Sequence, residues 1–465
     1  MRVAAGYLPD MIIERRTEID SPAGEVFAWH ARPGAFERLV PPWESVRLRA
    51  PHPGLVEGSR ALLRLTVGPV TTDWVARHER VEPGRGFVDV QEKGPFARWR
   101  HEHRFEPLDA GRSALVDRID VELPGGPLGE LAEPFVRAKL RHTLRFRHDV
   151  TAADLALHRG FQSQPRLTVA VTGASGLVGR ALVALLTTGG HPVVRLVRRP
   201  AEAGEIFWDP DTGRLDPAAL GGVDAVVHLA GESIADGRWT EERKRRIRSS
   251  RIAGTTTLAR AIAAASPRPR VLISASAVGW YGSRGDEILG EGAPAGTGFL
   301  ADVGQAWERA TTAAREAGVR VVHARFGIIL SPAGGALGKM LVPFSLGAGA
   351  TLGTGRQWTS WISLEDCVGA LVHLLQTDVT GPVNVVAPEP VTNAEYTKTL
   401  GRVLHRPAWF GVPAPVLRLL FGELADEGLL ASTRVAPSRL IDSGYHFRHT
   451  TLTAALEHEL GRGPV

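Results

Sequence analysis

Residues 167–199 read LTVAVTGASGLVGRALVALLTTGGHPVVRLVRR. An apolar, β-branched run ends at Thr172, a turn spaced by Gly173, Gly176 and Gly179 follows, and then come a helical stretch, a Gly-Gly stop and a second apolar run. The order is strand, turn, helix, strand, at the lengths a dinucleotide-binding half-fold needs. Glycines in such a turn let the backbone bend sharply and let its N–H groups approach an anion. They also let helix and strand pack closely, with the helix N-terminus facing the bound charge.

The spacing G-x-x-G-x-x-G, with Thr172 ahead and Ser175 inside, resembles the extended short-chain dehydrogenase/reductase superfamily. That resemblance implies a Rossmann-type, doubly wound parallel α/β sheet with Gly173, Ser175, Gly176, Leu177, Val178 and Gly179 at the cofactor pyrophosphate. A site for NAD places an acidic residue about 20 positions past the last glycine, where it holds the ribose 2′-OH. At that distance stand Arg198 and Arg199, with no acid beside them. A guanidinium fork suits a 2′-phosphate, so the expected cofactor is NADP.

The 465-residue chain is too long for one ordinary core. A hydrophobic content of 43% and a charged content of 23% are those of a globular protein. No run reaches the ~18 apolar residues of a membrane span, and Asp10 and Glu14 interrupt the stretch a signal peptide would need, so a cytoplasmic location is expected. One cysteine, Cys367, excludes an internal disulfide and a CxxC metal site. The net charge of +5 comes from arginines spread along the chain. Their densest run, Arg243 to Arg251, reads as the solvated face of a helix, and no nucleic-acid partner is expected.

Residues 11–158 have a different texture. The runs MIIERRTEI, ALLRLTV, TTDWVARHERV, GFVDVQE, ARWRHEHRFEPL and SALVDRIDVEL alternate polar and apolar residues at hairpin spacing, which predicts an antiparallel sheet. Ser21 is expected to cap a short helix with Pro22 at its first position, and a long helix is expected over about 130–158. This order, with the opening RTEIDSPAGEVFAW, resembles the START-like, polyketide-cyclase type of helix-grip domain. The resemblance implies an apolar ligand between sheet and helix; Trp29, Trp43, Trp74 and Trp99 are read as core. His101 and His103 alternate on one strand and share a face, but no third ligand stands at suitable spacing, so no metal site is expected. The polar stretch RGFQSQPR, 159–166, reads as a linker.

Beyond the glycine turn, VDAVVHLAGE is a buried-type strand whose end, Leu229, Ala230 and Gly231, lies by resemblance beside the cofactor ribose and pyrophosphate. His228 at that end reads as a packed residue. RWTEERKRRIRSSRIAGTTTLARAI reads as helix, turn and helix. In PRVLISASAVGWYG, Ser276 matches the family's catalytic serine, and a hydroxyl there can hydrogen-bond a substrate oxygen. The family's Tyr-x-x-x-Lys pair is absent: Tyr7, Tyr281, Tyr396 and Tyr445 are followed four residues on by Met11, Gly285, Leu400 and His449. The helix that should carry the pair, FLADVGQAWERATTAAREAG, offers Leu300 and Gly304. Tyr281, the tyrosine nearest the serine strand, is the substitute acid/base by position.

The set SASAVGWYG, FLADVGQAWE, RFGIIL, GGALGKM, GRQWTSWISLEDCVGAL and RVAPSRLIDSGYHFRH is similar to an atypical, epimerase-like branch of the superfamily over residues 167–457. Gln357, Trp358 and Trp361 either line a cleft or brace the cap, and bracing is preferred. The resulting division is a helix-grip domain over 1–158, the linker, an NADP-binding domain over 167–390 and a small C-terminal cap over 391–465. The functional expectation is an NADP(H)-dependent oxidoreductase or epimerase-like enzyme acting on a small molecule. The alternative is a non-catalytic NADP(H)-binding module coupled to a domain that binds an apolar ligand.

Overall fold

The computed structural model describes residues 11–50, 54–67, 70–125, 127–235 and 237–463. Tyr7, Asp10 and the outermost residues of the first and last assigned domains lie outside the described residues. The principal division into two compact units falls between Gln162 and Ser163.

The first unit is built on a seven-stranded antiparallel sheet. Its strands are β1 (Met11–Ile19), β2 (Ser45–Leu48), β3 (Arg60–Val67), β4 (Val70–Glu82), β5 (Gly86–Lys93), β6 (Arg98–Pro107) and β7 (Ser113–Glu122). The order across the sheet is β1-β7-β6-β5-β4-β3-β2. Alternation sends Met11, Ile13 and Ile19 of β1 and Leu115, Ile119 and Val121 of β7 inward, where Val150, Leu144 and Leu155 of a 33-residue helix α3 (Pro127–Arg159) are also buried. Two short helices, α1 (Ala23–Ala31) and α2 (Ala35–Leu39), complete the helix-grip arrangement. Trp29 and Trp99 are buried, and Trp74 packs edge-on against Trp99. The capping expectation at α1 is corrected by one residue. Pro22 is the N-cap, its carbonyl accepting from Glu25 N and Val26 N, while the Ser21 carbonyl accepts from Ser113 Oγ at 2.7 Å. Strand β2, with its alternating half-exposed residues, had no strong sequence signal.

The second unit carries a seven-stranded, all-parallel sheet. It contains β8 (Val169–Thr172), β9 (Val193–Val197), β10 (Glu205–Phe207), β11 (Ala225–His228) and β12 (Val271–Ala277), followed by strands Arg320–Phe326 and Gly381–Val385. Across the sheet the order is β10, β9, β8, β11, β12, then the last two. Runs such as VAVT and AVVH are buried at every position, as a sheet covered on both faces requires. Chain direction across the sheet reverses between β8 and β11. This is the switch point where open α/β sheets bind ligands beyond the strand ends.

Helix α4 (Leu177–Thr188) leaves the glycine turn, and helix α5 (Glu241–Ala264) is continuous, where a helix, turn and helix were expected. Gly254 lies within this helix against Trp208, where a Cβ would make ordinary contact with the ring at 3.5 Å. Thr240 caps α5 by accepting from Arg243 N. The C-terminal part of the chain shares a core with residues before it, since Leu330, Leu337 and Trp361 pack with Tyr396, Leu400, Leu452 and Leu456. No helix among the described residues is long and apolar enough to cross a membrane.

Candidate functional site

The ends of β8 and β11 lie side by side, and Thr172 joins them. Its Oγ1 accepts from Leu229 N at 3.1 Å and Ala230 N at 3.2 Å and lies 2.7 Å from His228 Nδ1. His228 Nε2 lies 3.0 Å from Thr255 Oγ1, and burial pushes the imidazole down to about 4. It is a neutral, packed residue at neutral pH. The turn after β8 is closed tightly. A Cβ on Gly179 would lie 2.1 Å from the Gly173 carbonyl oxygen, and one on Gly173, whose φ is +68°, would lie 2.9 Å from Ala230 N. Gly176 is less constrained, at 3.2 Å from the same oxygen. Such a turn brings backbone to within contact distance of a phosphate, so these residues fit a dinucleotide. Ser175, Leu177 and Val178 occupy the turn and first residues of α4, and Gly231 follows β11, with a Cβ there 3.6 Å from Arg251.

Arg198 and Arg199 follow β9, both exposed. Arg199 is engaged: its Nη1 and Nη2 donate to the two carboxylate oxygens of Glu205 at 2.7 and 2.8 Å. Among the described residues Arg198 has no such partner.

Ser276 lies near the C-terminal end of β12, 2% exposed, and its Oγ donates to Glu308 Oε1 at 2.8 Å. Glu308 projects from helix α6 (Phe299–Arg309) and is gripped by Arg325, whose Nε donates to Oε1 at 2.7 Å and Nη2 to Oε2 at 2.8 Å. The third nitrogen, Nη1, donates to Tyr281 Oη at 2.9 Å, and Tyr281 donates to Asn384 Oδ1 at 2.7 Å. The Arg325 guanidinium also stacks on Trp280, 3.6 Å from the ring centroid. Ser276 and Tyr281 are thus brought into one network, with Glu308 and Arg325 between them.

Tyr281 sits there without exposed surface, and burial raises its pKa despite the Arg325 charge alongside. A donor needs its proton within reach of substrate, whereas this hydroxyl is spent on Asn384; in this geometry Tyr281 braces Arg325. At one of the two positions where this helix would carry Tyr-x-x-x-Lys the fit is tight: a Cβ on Gly304 would come 3.2 Å from the Trp280 ring. Glu308, Arg325 and Asn384 were missed from sequence, although Leu300, Gly304 and Glu308 recur every four residues and so share one face of α6, a signal that could have found Glu308. Gln357 and Trp361 are buried and brace loops: Gln357 Nε2 donates to the Leu352 and Leu429 carbonyls, and Trp361 Nε1 to that of Glu389.

The family model described as NAD dependent epimerase/dehydratase matches residues 169–387, and the one described as polyketide cyclase/dehydrase and lipid transport matches 19–147. A further model, a domain of unknown function, matches 412–459. An epimerase family protein of Mycobacterium tuberculosis is 49% identical over 296 residues, covering 63% of this chain and 98% of that relative. A Corynebacterium glutamicum crystal structure described as a nucleoside-diphosphate sugar epimerase superposes with a TM-score of 0.80 at 35% identity, over 97% of this chain and 90% of that one. The human epimerase family protein SDR39U1, crystallised with NADPH, covers 63% of this chain and 99% of its own, with a TM-score of 0.59 at 34% identity. The reversed sheet order, the tight glycine turn and these matches agree: the chain belongs to the NAD-dependent epimerase/dehydratase family of extended short-chain dehydrogenases/reductases, with a polyketide-cyclase-type domain in front.

Proposed function

We propose that this protein is an NADP(H)-dependent oxidoreductase or epimerase-like enzyme acting on a small molecule, with Ser276 and Glu308 in place of the missing Tyr-x-x-x-Lys pair. The Ser276 Oγ–Glu308 hydrogen bond of 2.8 Å, anchored by the Arg325 fork, is the observation that carries this reading. Gly173, Ser175, Gly176, Leu177, Val178 and Gly179 would hold the pyrophosphate, Leu229, Ala230 and Gly231 would adjoin the ribose, and Arg198 would meet the 2′-phosphate. NADPH in the human relative supports the choice of cofactor. When bound, the nicotinamide supplies or takes up the hydride. In the oxidising direction, a substrate hydroxyl gives its proton to Ser276 Oγ as Ser276 passes its own to Glu308; reduction runs the same two transfers backwards, so protons balance. Arg325 keeps Glu308 oriented, and Tyr281 keeps Arg325 in place.

One observation favours a second reading, a non-catalytic NADP(H)-binding module with an apolar-ligand domain: Ser276 is 2% exposed and Tyr281 fully buried, so neither is openly presented to substrate. Turnover separates the two. With a panel of carbonyl compounds, NADPH consumption is expected in the wild type. Ser276→Ala and Glu308→Gln should each lower kcat by roughly 10²-fold or more, leaving NADPH affinity within a few-fold. Bound NADPH without hydride transfer to any compound would turn the choice toward the binding module.

A further inference from the structure

The inner face of the antiparallel sheet holds a buried cluster of histidines and carboxylates that plays no part in the site above. Strand pairing sets Asp89 on β5 opposite His101 on β6, and His103 on β6 opposite Asp117 on β7. Opposed residues share a face, as do residues two apart on one strand, so the four side chains converge. His101, His103 and Asp117 are 2%, 4% and 2% exposed. Donor atoms of Asp89, His101 and His103 lie within 4.8 Å of one another. His103 Nε2 is 3.5 Å from Asp89 Oδ2, and Asp117 Oδ1 is 3.7 Å from His101 Nε2.

The hydrogen bonding at this spot is incomplete. His101 Nε2 and Asp117 Oδ1 are buried without a hydrogen-bond partner; His103 Nδ1, although 2.7 Å from Asp117 Oδ1, is out of line for a bond. A buried polar atom left so costs ~1–3 kcal/mol, and native folds rarely leave several together without something to satisfy them. Around the gap, other side chains hold the carboxylates in place. His78 Nδ1 lies 2.6 Å from Asp89 Oδ1, and His148 bridges Thr17 Oγ1 at 2.8 Å and Asp117 Oδ2 at 3.3 Å. Outer groups of this kind orient metal ligands. Arg147 adds positive charge felt by both carboxylates, yet leaves the gaps at His101 and Asp117 unfilled.

We propose that the helix-grip unit binds a divalent first-row transition-metal ion through His101, His103 and Asp89, with Asp117 as the adjoining carboxylate. Two imidazoles and a carboxylate are donors for zinc, cobalt, nickel or iron rather than for calcium or magnesium, which take oxygen ligands. The ion satisfies the open nitrogen and adds positive charge beside the buried Asp117 and the part-buried Asp89, which otherwise rely on Arg147 and the neighbouring imidazoles. Three protein ligands leave a coordination position for water or for a polar group of a molecule held in the same unit.

The test uses the full chain, stripped with a chelator and titrated with Co²⁺ and Zn²⁺. About one equivalent of Zn²⁺ per chain is expected by elemental analysis, with a rise in Tm, because an ion that binds only the folded state stabilises it. Co²⁺ should give visible ligand-field bands without thiolate charge transfer, since the single cysteine, Cys367, is buried elsewhere. His101→Ala and His103→Ala should abolish the stoichiometric site, and His78→Ala should weaken it by ~10–100-fold. The exposed His405→Ala should leave it intact. No Zn²⁺ or Co²⁺ uptake by the wild type, as a self-sufficient network of protonated histidines would give, overturns the proposal, and so does uptake unchanged in both ligand variants. If those variants do not fold, the wild-type Co²⁺ spectrum and stoichiometry decide alone.

Discussion

Replacing Gly179 by alanine probes the cofactor turn at its tightest point. The new Cβ would stand 2.1 Å from the Gly173 carbonyl oxygen and 2.8 Å from Ala174 Cα, and both are backbone atoms that no rotamer change can move aside. Relief requires the start of α4 and the Gly173 peptide to separate by about 1 Å, a strain of the kind that costs ~1–3 kcal/mol in packed interiors. Helix propensity returns up to ~1 kcal/mol, because alanine is favoured over glycine within a helix. The net loss of fold stability is therefore small, while the loss of binding is not. Each charge-assisted hydrogen bond to a pyrophosphate that the shift breaks is worth ~1.5–3 kcal/mol, or roughly 10- to 150-fold in Kd. Calorimetric titration with NADPH, beside a thermal melt, should show that loss with only a few degrees of change in Tm. Gly176→Ala is the comparator. Its Cβ would meet the same oxygen at 3.2 Å, so its affinity should fall far less. Wild-type NADPH affinity in Gly179→Ala, or a larger loss in Gly176→Ala, would refute the reasoning.

Three other outcomes follow from the same geometry. Arg198→Ala should remove most of the preference for NADPH over NADH, a loss of ~1.5–3 kcal/mol, whereas Arg199→Ala should matter less because its fork is held by Glu205; titrations with both cofactors measure this, and equal wild-type affinities would dismiss a 2′-phosphate site. Tyr281→Phe leaves Arg325 Nη1 and Asn384 Oδ1 short of a partner in a buried site and should lower stability by ~1–3 kcal/mol in denaturant unfolding, with NADPH binding unchanged; an unaltered midpoint would show that the brace contributes nothing. Asp366 concerns acid stability. Burial alone would raise its pKa, but His449 and the Arg448 N–H hold it below its ordinary value, so its contribution is present above pH ~4 and is lost as pH falls through the lowered folded value. Asp366→Asn should therefore be less stable than the wild type at pH 7 and should lose less stability than the wild type on acidification; parallel pH–Tm curves for the two proteins would count against this.

What could be read from sequence was whatever one element decides by itself. The glycine turn was legible because Gly173 needs its φ of +68° and Gly179 its missing Cβ within a seven-residue stretch. The strands β1 and β3–β7 were legible because alternation is a property of each strand alone. Errors came where a neighbour decided. The stretch 238–262 read as helix, turn and helix, yet a single helix, Glu241–Ala264, runs through it. Ser21 looked like a cap, yet its carbonyl is taken up by Ser113, far along the chain.

The chemistry-bearing groups fall on the illegible side for the same reason. Glu308 and Arg325 lie on different elements, and only the packing of α6 over the strand Arg320–Phe326 makes them a bidentate pair. Along the chain His101 and His103 lack a third ligand, but the β5–β6 register places Asp89 opposite His101, and the β6–β7 register places Asp117 opposite His103. A buried charge is tolerated only when a partner is held to within a few tenths of an ångström, and a rigid sheet or a packed helix supplies that placement where a local turn would not. Polar groups that are paired across elements therefore belong to the same physics as the core, and the spacing of residues along the chain carries little of it. In this protein the missing Tyr-x-x-x-Lys was visible from sequence, whereas Glu308, the group standing beside Ser276, became visible only once helix and strand were seen together.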